Sequence, residues 1–162
     1  MDLDRERAAV MAGDTAKSHM QLALAEAVAA GVRGEVPVGA VLADASGRVV
    51  AVSGNRTRTD ADPTAHAEMV VIREACRSLG AERLAGCDLY VTLEPCPMCA
   101  AAISFARIRR LYYGAEDPKG GAVDNGVRLF RSPTCHHAPE VIGGIDARAA
   151  AEVLRTFFRE RR

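Results

Sequence analysis

The chain has 162 residues, and its 21 lysine and arginine side chains balance 21 aspartate and glutamate side chains, which leaves no formal net charge at pH 7. This length is that of one ordinary domain, and the neutral balance excludes the global basic charge of a general nucleic-acid binder while leaving room for a focused contact. The apolar content of 49% excludes a mainly disordered chain, and the longest stretch poor in polar side chains, residues 95–106, is too short to span a membrane.

The N-terminus and the cysteine count indicate the compartment. Residues 1–7 alternate in charge, where a secretory signal would have a basic patch followed by an apolar core. Five cysteines, an odd number in a chain long enough to bury a full core, favour reduced thiols or metal ligands over a disulfide framework. We therefore expect a cytoplasmic protein with a single domain over residues 1–162, of which residues 1–14 form a frayed N-terminus.

The first half of the chain alternates helical and strand patterns. Apolar side chains at helical spacing predict a helix over residues 15–30, with Gly31 as its stop. Residues 36–43 and 48–53 are β-prone, and the turn composition between them predicts an antiparallel hairpin. A second helical face runs from residue 65 to residue 79 and ends at Gly80.

The second half predicts a strand over 88–93, a short helix over 97–106 and a strand over 108–114. A strand-helix-strand crossover within one sheet is normally parallel, so the pattern predicts an α/β layer protein with a mixed sheet and the hairpin at one edge. Residues 115–138 form a long loop, which is usually functional, and we expect substrate contact there. A short strand within 139–145, a cap at Asp146 and an amphipathic helix complete the chain.

The densest chemical signal is His66 and Glu68 followed by Cys96 and Cys99. Two cysteines three residues apart at a helix start lie on one face, where the helix dipole favours the thiolate form that binds zinc. His66 can supply a third ligand, and three protein ligands leave the fourth tetrahedral position of a zinc ion for water. An open position is typical of a catalytic site, so we predict one zinc ion held by His66, Cys96 and Cys99.

Glu68 is the predicted general acid/base of this site. Two residues apart on a regular helix means about 200° of rotation, so His66 and Glu68 converge only if they flank an irregular first turn, which Pro63 and Thr64 permit. The carboxylate would take a proton from the zinc-activated water and return protons to a ring nitrogen and a leaving amine. The reaction predicted is hydrolytic deamination.

Each part of the motif, taken alone, is also compatible with a non-catalytic role. A lone C-x-x-C pair is about as often redox-active or structural as catalytic, and a lone H-x-E means little. Structural zinc sites use four protein ligands, and the remaining cysteines and histidines have no ligand-pair spacing to Cys96 and Cys99. The joint occurrence, with Pro95 directly before the first cysteine, matches the zinc-deaminase pattern H-x-E…P-C-x-x-C.

On these residues the chain resembles the cytidine deaminase-like superfamily of zinc deaminases and, within it, the bacterial tRNA-specific adenosine deaminases. The resemblance extends from about residue 18 to the C-terminus in family order. The segments that carry it are 36–41, 54–56, 62–68, 90–100, 107–108 and 157–162.

The resemblance implies a three-layer α/β/α fold with a mixed five-stranded sheet, a homodimer, and a zinc ion. It also implies conversion of adenosine to inosine at the wobble position of a tRNA anticodon loop. By position, Asn55 matches the asparagine with which the family binds the target base, although from the residues alone it is equally a turn former. Residues 36–38 and Ala65 resemble the wall around that base, where the pattern alone indicates core.

Two further functions remain open from the sequence. A deaminase of a free nucleobase or nucleoside (guanine, adenine or cytidine) would use the same zinc chemistry, and the loop over residues 119–130 departs from the usual family text. A non-catalytic zinc-stabilised binding module would have no need of Glu68.

The arginines near the fourth strand and at the C-terminus either form a binding surface for phosphate groups or are ordinary solvent-exposed charges. Residues 135–137 contain cysteine and histidine side chains, but adjacent residues rarely face one ion.

Overall fold

Five strands form one mixed sheet in the computed structural model, which describes residues 3–161 and the side chains from residue 13 onward. The strand order across the sheet is β2-β1-β3-β4-β5. In chain order the elements are α1 (Leu3–Val32), β1 (Gly39–Ala43), β2 (Val49–Gly54), α2 (Ala67–Leu79), β3 (Asp88–Leu93), α3 (Pro97–Phe105), β4 (Arg110–Ala115), a 3-10 turn (Leu129–Arg131), β5 (Glu140–Ile142) and α4 (Ala147–Glu160).

The strand pairing agrees with the predicted topology. β1 pairs antiparallel with β2 and β3, whereas β3–β4 and β4–β5 are parallel, so the hairpin forms one edge of the sheet. β3 and β4 are parallel, and the crossover connection that parallel strands need runs through α3. The predicted fold class, α/β with a mixed five-stranded sheet, is confirmed.

Helices cover both faces of the sheet and give three layers. Successive strand residues point to opposite faces, so Leu42 and Leu89 pack with α2 and α3, while Val41 and Tyr90 pack with Met20 of α1. α4 packs beside α1 and against β4. The end of β3, the loop after β4 and the starts of α2 and α3 all contribute residues to one pocket.

The first helix is longer than predicted. Residues 15–30 were expected to be helical behind a frayed start over 1–14, but α1 begins at Leu3 and includes residues 3–14; Met1 and Asp2 lie outside the described residues. Residues 3–12 contain three alanines together with leucine, methionine, arginine and glutamate, all strong helix formers. Helix propensity, rather than the alternating charge, decides the conformation there.

The strand predicted over 36–43 begins only at Gly39. Pro37 has no N–H to donate to a neighbouring strand, and the N–H of Val38 donates to the carbonyl of Val36 at 2.8 Å in a tight turn. At Gly39 the backbone lies against α1 so closely that a Cβ atom would come within 1.9 Å of the carbonyl oxygen of Ala23. Only glycine fits there, and the three residues before it are left to form part of a loop.

The last helix begins at its predicted cap, but the cap side chain is not engaged. Asp146 has a left-handed backbone with φ of 53°, makes no capping hydrogen bond, and has Oδ2 buried without a partner among the described residues. An N-cap side chain reaches the first-turn N–H groups from an extended backbone, which Asp146 does not adopt. Farther along α4, Phe157 is buried whereas Phe158 is half exposed.

Between residues 3 and 161, none of the helices is long and apolar enough to cross a lipid bilayer.

Candidate active site

The start of α2 brings His66 and Glu68 to one side of the helix. His66 is the residue before the first helical turn, with an extended backbone (φ −64°, ψ 153°), and Glu68 lies in that first turn. Because the chain is not yet helical at His66, the 200° separation of a regular helix does not apply. The predicted irregular first turn is therefore present, and both side chains face the same pocket.

The start of α3 positions the two cysteines much as the start of α2 positions His66 and Glu68. Cys96 is the N-cap residue of α3 with an extended backbone, Pro97 opens the helix, and Cys99 lies within its first turn. Proline at the first helical position costs nothing, because its missing N–H would have no partner within the helix. Cys99 is buried and Cys96 is partly exposed, so one thiol faces the protein and the other faces the pocket.

His66, Cys96 and Cys99 form one cluster. Their ligand atoms lie within 4.8 Å of one another, and Nδ1 of His66 is 3.6 Å from Sγ of Cys96 and 3.5 Å from Sγ of Cys99. Tetrahedral zinc with ligands at about 2.0–2.3 Å separates those ligands by about 3.3–3.8 Å. The donor set and the sulfur-to-nitrogen separations therefore fit a zinc ion with three protein ligands.

The electrostatics of the two thiols are opposite. The hydrogen bond with Cys99 is the largest influence on Cys96; burial opposes it, the contact with His66 adds to it, and the pKa of Cys96 falls to about 4. The contact between Cys96 and Cys99, together with burial and the nearby Glu68 carboxylate, raises the pKa of Cys99 well above its ordinary value. A divalent cation bound between the two sulfur atoms would favour the deprotonated form of both thiols.

Glu68 is a buried carboxyl group beside this cluster. Its Oε2 accepts a hydrogen bond from the Cys99 thiol at 3.0 Å, and only 4% of the residue is exposed. Burial raises the pKa of Glu68, partly offset by the Cys99 hydrogen bond and by the His66 imidazole. A carboxyl group with a raised pKa can both accept and return protons near neutral pH, which is what a proton shuttle needs.

Asn55 follows β2 and lines the same pocket. Its backbone N–H donates to the carbonyl of Val38 at 2.9 Å, and its Nδ2 donates to Oγ1 of Thr57 at 3.4 Å. Its Oδ1 is buried and has no hydrogen-bond partner among the described residues. A buried acceptor of this kind is costly unless a donor reaches it, so the amide oxygen of Asn55 is suited to a ligand N–H or O–H group.

The pocket that joins these groups has a volume of about 360 Å³, the size of a site for a small ligand or a single base. Of the predicted wall residues, Val36 and Val38 line it, whereas Pro37 and Ala65 line two other clefts. The full lining is Val36, Val38, Asn55, Thr57, His66, Ala67, Glu68, Leu93, Glu94, Cys96, Asp117 and Gly120. Residues Asp117 and Gly120 belong to the loop over 115–138, so part of that loop lines the pocket, and its contact with substrate stays a prediction.

Sequence reasoning missed two buried carboxylates that hold the loops around the pocket. Glu35 is fully buried and accepts hydrogen bonds from the N–H groups of Arg58 and Thr59, which lie in the turn that precedes His66. Glu94 is 2% exposed and accepts hydrogen bonds from the loop after β4. A glutamate in a β-rich segment next to the cysteine motif was the available signal, since charged residues are rarely buried unless they are paired.

The remaining cysteines and histidines do not join the cluster. Among the described residues, His66, Cys96 and Cys99 form the one group that could hold a metal ion. The Nε2 atom of His137 lies 2.7 Å from the carbonyl oxygen of Ile108, and Sγ of Cys135 contacts Oγ of Ser104 at 3.5 Å. Residues 135–137 therefore connect the loop to the end of α3 and to the segment between α3 and β4, and they do not form a second metal site.

Comparison with known proteins identifies the family. The pattern described as the cytidine and deoxycytidylate deaminase zinc-binding region matches residues 14–115. A tRNA-specific adenosine deaminase of Agrobacterium fabrum is 69% identical over 143 residues, which cover 88% of this chain and 93% of that protein. The chain belongs to the tRNA-specific adenosine deaminase family.

More distant members and a solved structure agree with this family membership. The tRNA-specific adenosine deaminase of Bacillus subtilis is 44% identical over 144 residues, covering 89% of each chain. A structure solved in work on A-to-I editing by tRNA:A34 deaminases at the wobble position of transfer RNA is 68% identical, with a TM-score of 0.83 over 85% of this chain and 99% of that one. The predicted resemblance is confirmed, and the chain is a zinc-dependent hydrolase of the deaminase class.

Proposed function

We propose that this protein deaminates adenosine to inosine at the wobble position of a tRNA anticodon loop. The observation that carries the proposal is the convergence of a three-ligand metal cluster and a buried carboxyl group on one pocket. The identity to tRNA-specific adenosine deaminases over nearly the whole length supports the choice of substrate. We further propose that residues 1–162 form a single zinc-dependent deaminase domain.

In this proposal His66, Cys96 and Cys99 hold the zinc ion and Glu68 moves the protons. When bound, zinc supplies a Lewis acid that makes water a better nucleophile at neutral pH. Glu68 accepts a proton as the water oxygen bonds to the carbon that bears the amino group, and it delivers that proton to the adjacent ring nitrogen. It then transfers a second proton from the oxygen to the amino group, the carbon–nitrogen bond breaks, and ammonia leaves. The ring then carries a carbonyl group at that carbon, and the product is inosine.

Asn55 is the proposed base-binding residue. Its buried Oδ1 without a partner and its place on the pocket wall support this role. The backbone hydrogen bond to Val38 fixes the start of the Asn55 segment, so its side chain requires little ordering when a base enters. The apolar side chains of Val36 and Val38 offer contact surface to an unstacked ring on the same wall.

A homodimer and a cytoplasmic location complete the proposal. The support for self-association is exposed apolar surface on α3, where Phe105 is 70% exposed beside a cleft of about 190 Å³ that also includes Leu129. Light scattering should give twice the chain mass, and Phe105→Glu should give the monomer mass. Five free cysteines and a tRNA substrate support a reducing cytoplasmic compartment.

The deciding experiment is a side-by-side turnover assay of the zinc-loaded protein. Substrates are an adenosine-containing anticodon stem-loop and free adenosine, guanine and cytidine, with products separated chromatographically. We expect inosine in the stem-loop and little turnover of the free compounds, because flanking nucleotides supply the binding energy. Turnover of a free base or nucleoside without turnover of RNA would move the function to nucleobase metabolism. No turnover of any of them, with zinc bound, would favour a binding module.

A further inference from the structure

Glu94 is a buried carboxylate that binds a whole loop. It follows β3 directly and is 2% exposed, and its two oxygen atoms accept five hydrogen bonds from residues 117–125. The donors to Oε1 are the N–H of Asp117 at 3.1 Å and Nδ2 of Asn125 at 2.6 Å, and the donors to Oε2 are the N–H groups of Val123 at 3.1 Å, Asp124 at 3.1 Å and Asn125 at 3.0 Å. Hydrogen bonds to a carboxylate are stronger than neutral ones, so this group is the main anchor of the loop.

The contact between Glu94 and the loop is tight as well as polar. At Gly121 a Cβ atom would lie 2.5 Å from Oε2 of Glu94, so the backbone passes directly over the carboxylate. The N–H of Ala122 donates to the carbonyl of Pro95 at 2.9 Å, which adds a backbone link beside Cys96. The loop has no regular secondary structure between β4 and the 3-10 turn, so these links help to set its position.

The anchored loop forms one wall of the candidate active site. Asp117 and Gly120 line the same pocket as Asn55, and Lys119 between them is exposed. The side chain of Asp117 accepts hydrogen bonds from the N–H groups of Lys119 and Gly120, which makes this part of the loop a compact turn. A shift of the Glu94 anchor would therefore move the wall and its lysine as a unit.

The groups that perform the chemistry are held by other elements. His66 and Glu68 are positioned by the start of α2, and Cys96 and Cys99 by the start of α3. A displaced loop would leave these groups in place while changing the shape and charge at the mouth of the pocket. Such a change affects how well the substrate is bound more than how fast the bound substrate reacts.

We propose that Glu94 is a positioning residue for substrate binding: by anchoring residues 117–125 it holds the pocket wall that receives the RNA around the target adenosine. The inference rests on the proposed function for the nature of the substrate, and on the hydrogen bonds of Glu94 for the anchor itself. It assigns to a residue outside the zinc-deaminase motif the control of the Michaelis constant.

The test uses Glu94→Gln, with Asn125→Ala as a second variant that removes only the side-chain donor. Glutamine keeps the shape of the side chain but replaces one acceptor oxygen with a donor, so part of the N–H array is lost. The control is Glu116→Gln, an exposed glutamate at the start of the same loop. Zinc content, kcat and KM on the anticodon stem-loop, and hydrogen exchange of the amides of residues 123–125 are measured for each protein.

For Glu94→Gln we expect KM to rise about 10-fold or more with kcat changed less than about 3-fold, full zinc content, and faster amide exchange at residues 123–125. Asn125→Ala should change KM and exchange in the same direction by less, and Glu116→Gln should match the wild type. Unchanged KM and exchange in both variants would overturn the inference, as would a loss of zinc with a proportional fall in kcat. If the wild type does not act on the stem-loop, the proposed function fails, and amide exchange alone then decides whether Glu94 anchors the loop.

Discussion

The Cys99 thiol donates a hydrogen bond to Oε2 of Glu68 at 3.0 Å, which joins the first turns of α3 and α2. One partner is a candidate metal ligand and the other is the candidate proton shuttle, and they lie 31 positions apart in the sequence. The contact exists because both helices begin on the same side of the sheet and direct their first turns at one pocket. It places the carboxyl group within reach of whatever occupies the metal cluster.

The first prediction concerns Glu68→Gln. The amide keeps the size of the side chain but cannot take up and return a proton, so we expect kcat to fall by about 10²–10⁴-fold. Zinc content and the unfolding midpoint should stay close to the wild type, because the three ligands are unchanged. Turnover on the stem-loop and zinc analysis of the same preparation check this. A near-wild-type rate would show that Glu68 is not the proton shuttle.

Removal of a metal ligand should affect stability and zinc content together. For His66→Ala or Cys96→Ala we expect loss of the single zinc ion, because metal binding free energy is also folding free energy. At free zinc about 100–1,000 times the Kd, that loss is about 3–4 kcal/mol, or roughly 6–16 °C in Tm.

The matched control for the ligand variants is Cys76→Ala, a cysteine of α2 that lies outside the metal cluster. It should keep a full complement of zinc. A chelator should lower the Tm of the wild type and of this control, and leave that of the ligand variants unchanged. Equal zinc content in His66→Ala and the wild type would contradict the ligand assignment.

Asn55→Ala tests the proposed base contact. The loss of one buried hydrogen bond to the substrate costs about 1–3 kcal/mol, so kcat/KM on the stem-loop should fall about 5- to 150-fold. Folding should be largely unaffected, because the backbone hydrogen bond from Asn55 to Val38 remains and the variant removes a buried acceptor that has no protein donor. Kinetics together with a thermal melt separate the two effects, and an unchanged kcat/KM would remove Asn55 from the substrate-binding residues.

A bidentate ion pair between Asp88 and Arg109 should matter more for stability than a neighbouring exposed pair. Arg109 donates to both oxygen atoms of Asp88, at 3.0 and 2.8 Å, and the Asp88 side chain is only 9% exposed. Asp88→Asn should lower the unfolding free energy by about 1–3 kcal/mol. Glu140→Gln breaks the exposed pair with Arg110 and should cost at most about 1 kcal/mol. Urea unfolding of both variants measures the two losses of unfolding free energy. A loss for Glu140→Gln as large as that for Asp88→Asn would contradict the prediction.

The β1–β2 turn should contribute a pH-dependent part of the stability. Asp44 accepts hydrogen bonds from Ser46 and Arg48, and these, led by the Ser46 hydroxyl and opposed by slight burial, lower its pKa to about 2. Because the folded pKa lies below the unfolded value, the contribution is complete above about pH 4 and is lost as the pH falls toward 2. The difference in unfolding free energy between the wild type and Asp44→Asn should therefore be constant from pH 7 to 5 and shrink below pH 4. A difference that persists unchanged to pH 3 would contradict the lowered pKa.

The sequence by itself determined the chemistry and most of the element order. The motif residues His66, Glu68, Cys96 and Cys99 belong to short segments whose composition specifies both the helix starts and the zinc-deaminase pattern, so local information was sufficient. The β-prone runs of β1 and β3 likewise predicted the strands, and the strand-helix-strand order predicted the mixed sheet. Two errors in element bounds, at the start of α1 and at Gly39, lay where propensity, proline and close packing compete.

Only the tertiary structure decided which groups meet at the pocket. The hydrogen bond from Cys99 to Glu68, the unpartnered Oδ1 of Asn55 and the loop bound by Glu94 each join segments that are distant in sequence, or depend on what surrounds a buried atom. The local signal at Glu94 does not reveal its partners, because its cost of burial is offset by N–H groups contributed 23 to 31 residues later. Hydrogen bonds between distant segments, which a linear sequence does not display, place the residues of the zinc motif in one pocket and hold the loop that lines it.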